Sequence, residues 1–554
     1  MKDKWLKGTI FLTITALLTK ILSMLYKIPY QNIVGDEGLY AFQQVYPLLG
    51  IYTVLGTVVL PSIISEVLLT NQYNEVAKTQ LKRTLWLFSA LIFAVLFLGS
   101  GLIARAMGDA SLSAAIRWVG LVYLLLPHLA YLRGVHLTRP ETMARVGISI
   151  TIEQLVRVIM ILVAIAHFNY GTIFRTAEMA YLLGLAGPVM GILYLGMFKL
   201  EDEPKQYIKK KIPLSFFKKT AFLFLGAGIL TIFQLIDSFT VYISLLRTGM
   251  DPMEAMVQKG IFDRGFPIIQ SATFFIGALV SSTLPQMVSA TDDKQRKNVF
   301  NHAMFYVTVL SIPATVGLYM VMPYLNTALF EDTLGTGALR ILSLQVLFFP
   351  FMVLTSAVLQ QEERYSEMAV AVLAGIFIKL MATPLLTEAF GIYGTALSSV
   401  IALGAMALVN LILFRKMMVK QTLFNTFKVG FATLSMWLAL EFIMPALHDV
   451  LGNNHERTFS IFMVTLSALG GGLVYGLIML LFILTTKTAT KPSKTKKRPK
   501  PATQSIKRTK PAPQRTSSQV KSAKKRQPSK VKASKSKKAK AQATRTRKRK
   551  PVVR

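Results

Sequence analysis

The stretch LTITALLTKILSMLYKIPY, Leu12–Tyr30, decides how the chain must be read. As a helix rising about 1.5 Å per residue it just spans the roughly 30 Å hydrocarbon core of a bilayer. Yet Lys20 sits in its middle and Lys27 near its far end. A lysine at that depth costs about 2.5–3.5 kcal/mol on insertion scales, so it needs a partner, water or an anion. Seven residues are two helical turns, so both ammonium groups share one face about 10.5 Å apart. Thr13 and Ser23 lie on the same face. Lys27 alone can snorkel to the headgroups, whereas Lys20 sits deeper.

The rest of the chain has the same character. It has 554 residues, of which 53% are hydrophobic and only 16% charged. Its mean hydropathy is +0.47, a membrane-protein composition. There is no cysteine, which excludes disulfides and thiolate chemistry. The six histidines form no HExxH-type cluster, and no Gly-rich phosphate loop follows a strand pattern. A transporter fits better than an enzyme, and no resident cofactor is implied. The net charge of +36 belongs to two objects: 487–554 hold 27 Lys and Arg and no acid, which leaves +9 for the body.

Apolar runs long enough to span recur at 8–27, 41–68, 84–106, 114–134, 147–168, 177–198 and 217–244. They continue at 261–289, 299–322, 337–359, 367–387, 392–414, 428–447 and 459–485, which makes fourteen. Basic residues gather at the N-terminus (Lys2, Lys4, Lys7) and after the even-numbered runs. Those bases include Lys78, Lys82 and Arg83; Arg133, Arg139 and Arg145; Lys209, Lys210, Lys211, Lys218 and Lys219; Lys294, Arg296 and Lys297; and Arg415, Lys416 and Lys420. The bias places both termini of a multi-pass membrane protein in the cytoplasm. The first run is too long, and lacks the small-residue cleavage site, for a signal peptide.

The two halves echo each other. Leu60-Pro61-Ser62-Ile63-Ile64-Ser65 matches Leu284-Pro285-Gln286-Met287-Val288-Ser289, and Gly38-Leu39-Tyr40 matches Gly260-Ile261-Phe262. At the same offset, near 222 residues, Arg157 falls on Lys379. The fold expected is therefore an all-α polytopic membrane protein with two pseudo-symmetric six-helix lobes related by an axis along the membrane normal. The lobes span 1–199 and 200–423, two added helices span 424–486, and a disordered basic tail spans 487–554.

The charges within the apolar runs are the candidate site. Lys20, Lys27, Arg157, Arg264 and Lys379 come from both lobes, and a cavity lined by them favours an anion such as phosphate. Glu153 and Arg157 are an i,i+4 pair that could neutralise itself. Asp263 and Arg264 open the eighth run and point different ways. Among the acids, Asp237 is the deepest and Glu66 lies near an inner end. Asp237 is a candidate for proton or sodium coupling, or equally for the partner of Lys20 or Lys379.

Three stretches carry a family resemblance. Thr19–Lys27 followed by Val34-Gly35-Asp36-Glu37-Gly38-Leu39-Tyr40 is similar to an opening basic helix and acidic Gly turn. Asp263-Arg264 followed by Thr283-Leu284-Pro285 and Ser289 is the second, and Ile152-Glu153-Gln154-Leu155-Val156-Arg157 the third. Together they resemble the MurJ-like branch of the MOP flippase superfamily, which takes in stage V sporulation protein B and related polysaccharide biosynthesis proteins, over about 1–486. The resemblance implies a flippase for lipid II or another undecaprenyl-linked glycan, working by alternating access between the lobes. It puts Lys20, Lys27 and Arg264 on cavity cations that bind the diphosphate, and the last two helices on a lipid-tail groove. Lys20 departs from the family's arginine and lacks its bidentate fork.

The tail should attach electrostatically to anionic inner-leaflet lipids. Binding nucleic acid through phosphates is the lesser alternative, because aromatics for stacking are missing. Competing functions are a capsular or teichoic-type repeat-unit flippase, a MATE-like cation-coupled drug exporter, and a membrane scaffold.

Overall fold

In lipid every backbone N–H and C=O must be satisfied within its own segment, so apolar runs of this length fold as helices. The computed structural model describes residues 26–69, 75–169, 171–198, 214–281, 292–451 and 457–489, with 8, 11, 12, 14, 15, 17–19 and 21–23 before them. Every regular element among the described residues is helical. Eleven helices among them are long and apolar enough to cross a membrane. Lys20, the second Leu-Pro repeat at 284–289, Lys209, Lys210, Lys211, the N-terminal lysines and nearly all of the basic tail lie outside the described residues.

The first half begins with α1 (Lys27–Gln43), which kinks at Gly35. Then α2 (Tyr46–Val54) passes through one π-turn, Leu55–Val59, into α3 (Leu60–Leu69). Helices α4 (Glu75–Leu98), α5 (Ser100–Ala106), α6 (Ser113–Leu137), α7 (Met143–Phe168), α8 (Ile173–Gly184) and α9 (Ala186–Gly196) complete it. Polar caps mark the loops: Asp109 accepts from Ser111 N at 2.9 Å and Thr172 from Arg175 N at 3.2 Å.

The second half holds α10 (Leu214–Ala227), α11 (Ile229–Arg247), α12 (Pro252–Asp263), α13 (Gly265–Ser281), α14 (Asp293–Phe330), α15 (Thr336–Ser343) and α16 (Gln345–Gln361). After α17 (Tyr365–Phe414) come α18 (Lys420–Leu451) and α19 (Arg457–Ala489), which pack on each other and on α14. Lipid-facing surface is broad: Leu98 is 82% exposed and Phe442 78%.

Two elements differ from the hydropathy reading. At 50 residues α17 would be about 75 Å long, too long for one crossing. It turns back at Gly391, whose φ of 58° suits a residue without a Cβ. Hydroxyls on either side then meet: Thr387 and Thr395 at 2.8 Å, Thr383 and Ser398 at 3.0 Å. So α17 is two antiparallel arms, matching the runs at 367–387 and 392–414. The eighth run begins earlier than 261. Asp251 accepts from Met253 N at 2.9 Å and Pro252 sits in the first turn, so α12 starts there. Asp263 and Arg264 therefore lie at the junction of α12 and α13 rather than at a helix start, because the cap lies outside the apolar run.

Candidate functional site: a helix seam and its buried charges

The first half meets the second along one antiparallel seam. At one end α1 packs on α12, and their backbones come so close that a Cβ on Gly260 would fall 2.0 Å from the Asp36 carbonyl oxygen. Next the Tyr40 and Tyr242 rings lie 4.9 Å apart. Gln44 then donates from Nε2 to the Ser238 carbonyl at 2.6 Å. In α2, a Cβ on Gly50 would lie 3.7 Å from Thr231 Cβ in α11. At the far end Lys219 donates to both carboxylate oxygens of Glu66, at 2.6 and 2.7 Å.

The two ends are tied differently. Arg264 is fully buried. Its Nε donates to Asp36 Oδ1 at 2.7 Å and its Nη2 to Asp36 Oδ2. Its other edge takes Asp332, in the α14–α15 loop, at 2.6 and 2.9 Å. The planar fork is thus filled by two carboxylates, a bidentate geometry lysine cannot make. Removing one partner of such a buried pair costs about 3–5 kcal/mol. By contrast the side chains of Glu66 and Lys219 are 53% and 28% exposed, and a pair of that kind contributes about 0–1 kcal/mol.

Beside the seam the remaining charges are buried and matched. Lys379 Nζ lies 2.5 Å from Asp237 and donates to Ser399 at 2.7 Å and Ser398 at 3.1 Å. Lys259 reaches Asp263 at 2.5 Å, one turn away in α12. Within the first half Glu153 holds two bases: Arg157 from its own helix and Arg133 from α6, the latter at 2.6 Å. Arg133 also donates to the Gly56 carbonyl in the π-turn at 3.1 Å. Lys27 is buried, not snorkelling, with Nζ 4.1 Å from the centre of the Tyr46 ring.

The structure therefore places Arg264, Arg157 and Lys379 in separate ion-paired groups and Lys27 against the Tyr46 ring, with the seam closed between them; Lys20 lies outside the described residues. Asp237 is not unpaired: it takes Lys379, one of the two partners the sequence allowed. Arg264, Arg157 and Lys379 each have a carboxylate. Beside Asp237 the space left is about 10 Å³, no more than one water. A groove of about 550 Å³ runs along the outside, lined by Ile28, Pro267, Ile268, Phe275, Leu318 and Leu325 among others, nearly all apolar. It lies one residue from Lys27 in sequence and three from Arg264.

Sequence reasoning missed four members. Arg133 reads in sequence as a loop base that sets orientation, but it is wholly buried on Glu153. Lys259 lies outside the apolar run, and its i,i+4 spacing to Asp263 is the signal that finds it. Asp36 reads in sequence only as part of a turn, and Asp332 as a loop acid. Their partner is 228 and 68 residues away, which no local pattern reports.

Fold and charges define a polytopic all-α membrane protein whose halves close on each other, the architecture of a transporter. Residues 5–291 match the model of the polysaccharide biosynthesis protein family, and the chain belongs to that family. It is 33% identical over 435 residues to the uncharacterized membrane protein YabM of Bacillus subtilis (strain 168), covering 75% of this chain and 81% of that one. It is 23% identical over 529 residues to the lipid II flippase MurJ of the same organism, covering 86% and 95%. Among solved structures it is similar to the lipid II flippase MurJ in an inward closed conformation, with a TM-score of 0.65 at 14% identity over 86% of this chain and 100% of that one. It is also similar to an inward-facing MATE-family multidrug resistance transporter of the MOP superfamily, with a TM-score of 0.57 at 15% identity over 74% and 97%. At such identities the likeness is one of fold. The MurJ-like, MOP-superfamily resemblance read from the sequence is borne out.

Proposed function

We propose that the chain is a flippase that moves a polyprenyl-diphosphate-linked glycan, lipid II or a related cell-wall precursor, from the inner to the outer leaflet. The observation that carries this reading is the unequal seam. Its Asp36–Arg264–Asp332 end is buried and bidentate, while its Glu66–Lys219 end is an exposed pair of small net worth. The loop charges assign the weak end to the cytoplasm. The seam therefore opens first towards the inner leaflet, where such precursors are made.

Opening separates two lobes, 1–199 and 200–423, around Lys27, Lys259 and Arg264. Lys20, spaced two helical turns before Lys27 in the sequence, is a further candidate for that positive wall. The diphosphate meets these cations, and Arg157 and Lys379 hold the field positive from each side. The apolar groove beside Ile28 and Pro267 takes the start of the polyprenyl chain while the rest stays in the bilayer. Arg264 then exchanges phosphate for Asp36 and Asp332 as the lobes rock. No bond is made or broken, so no catalytic residue is assigned.

The drive follows from Lys379. Because its ammonium already occupies Asp237, that carboxylate is a poor site for a coupling ion, and the membrane potential becomes the main source of work. It supplies about 2.3 kcal/mol per charge per 100 mV, inside negative, to return an empty cationic cavity inward. A MATE-like exporter of organic cations is disfavoured by the same bases. A capsular or teichoic-type flippase would share the diphosphate chemistry and differ only in glycan.

The test is surface exposure of lipid II in bacteria depleted of their own flippase and supplied with this chain, its Lys27→Gln and Lys27→Arg variants, and a variant lacking 490–554. Exposure restored by wild type, Lys27→Arg and the truncated chain but not by Lys27→Gln, at equal membrane levels, supports the reading. Loss on truncation alone would favour the scaffold. No restoration by well-expressed wild type removes lipid II as the substrate.

A further inference from the structure

A second site lies away from the seam, between α14, α15 and α18. A cavity of about 500 Å³ is lined there by Tyr319, Tyr324, Arg340, Trp437, Glu441 and Asp449, among others. An apolar groove of about 440 Å³ shares Tyr319 and Trp437 with it and continues along α14 and α18 past Ile312 and Leu434. Together they form one elongated cleft with a charged head and an apolar stem, open to the bilayer. The head lies at the α14–α15 end, which the loop charges assign to the outside.

The head has a chemistry of its own. Arg340 donates from Nε to the Tyr319 carbonyl at 3.0 Å and lies over that ring, which fixes its guanidinium at the rim. Opposite, Glu441 and Asp449 stand eight residues apart, about two turns, on the cleft face of α18. Among the described residues neither carboxylate has a hydrogen bond or an ion pair. Pro445 lies inside the helix and has no N–H, so the carbonyl of Glu441 loses its helical donor. That wall therefore offers two carboxylates and a released carbonyl, all acceptors, facing one fixed cation.

We infer that this cleft binds an aminophospholipid of the outer leaflet. Its phosphate takes Arg340, its ammonium gives hydrogen bonds to Glu441 and Asp449, and an acyl chain lies in the apolar stem. The assignment is set by charge. Glu441 and Asp449 stand against Arg340, with the His448 imidazole lining the same cavity; counted with a neutral imidazole the head is negative, which opposes a lipid of net negative charge such as phosphatidylglycerol and favours one that carries its own cation. The acceptor-rich wall favours a primary amine with three N–H donors over a choline head, which has none. Two ring-bearing tyrosines and Trp437 suit the interfacial depth.

The experiment uses the full chain in phosphatidylcholine nanodiscs, with Trp437 as the remaining tryptophan (Trp5, Trp86 and Trp118 replaced by Phe). Quenching of Trp437 is followed on titration with phosphatidylethanolamine, N-acetylated phosphatidylethanolamine or phosphatidylglycerol, each brominated on the acyl chain. Phosphatidylethanolamine should saturate the quenching at a mole fraction about tenfold below the other two, a ratio set by about one charge-assisted hydrogen bond. Glu441→Gln/Asp449→Asn should abolish that preference, and Arg340→Gln should weaken phosphatidylethanolamine and phosphatidylglycerol together. Native mass spectrometry of the same variants, which change only rim side chains, gives a second readout through retained lipid. Equal quenching by the three lipids, or a preference that survives in the acid-neutralised variant, overturns the inference.

Discussion

Replacing both Gly50 and Thr231 by cysteine puts two thiols across the middle of the seam. The Cβ positions lie 3.7 Å apart, inside the roughly 3.5–4.5 Å range that a disulfide bridges. The chain has no cysteine of its own, so no background thiol needs removal. The two positions are 181 residues apart, and closing a loop of that length contributes about 5 kcal/mol in the chain-entropy model. That entropy acts against unfolding; the covalent bond itself is what keeps the seam from parting under the 2.3 kcal/mol or so that one charge gains from 100 mV. Oxidation should therefore form one intramolecular disulfide and hold the lobes together. Translocation in reconstituted vesicles should drop to background on oxidation and return when the disulfide is reduced, while each single mutant stays near wild type. Complete cross-linking with undiminished translocation would refute the premise that substrate passes by parting this seam.

The buried pair should behave differently from the exposed one. Lys379→Met leaves Asp237 without its counter-charge and should lower stability against unfolding by about 3–5 kcal/mol. Adding Asp237→Asn should recover at least about 2 kcal/mol of that, a coupling that a double-mutant cycle reads directly. Glu66→Gln, at the exposed end, should shift stability by less than about 1 kcal/mol, yet raise the accessibility of a cysteine placed at Gly50 as the seam loosens. Replacing sodium by choline in the vesicle assay should leave the initial rate within about twofold, because the Lys379 ammonium already serves Asp237; a strict sodium requirement would count against that assignment.

Much of the fold could be read from hydropathy, because a bilayer permits few alternatives to the helix. The hairpin within α17 was legible as two runs, and the break between them is the non-helical backbone at Gly391. The start of α12 was hidden because Asp251 and Pro252 lie in polar sequence upstream of the apolar run. Charges were harder. Lys27, Arg157, Asp237 and Lys379 stood out as expensive residues in apolar surroundings, and burial is where they lie. Their partners followed where spacing was local, as for Glu153 with Arg157, while for Asp237 the sequence offered Lys20 or Lys379 without deciding between them. The match of Arg264 with Asp36 and Asp332 needs three segments folded together. Arg133 shows the limit of charge counting: near a run's end, a base that orients the chain and one buried on a carboxylate look the same in sequence.

The most direct measurement is translocation of fluorescent lipid II by the purified full chain in sealed vesicles, scored by protection of the headgroup from an added reductant. The account predicts translocation that rises with an inside-negative potential, is lost in Lys27→Gln, and stops when the Gly50→Cys/Thr231→Cys seam is oxidised. Folded, inserted protein that moves no polyprenyl-diphosphate glycan but extrudes an organic cation would contradict it and favour the exporter reading.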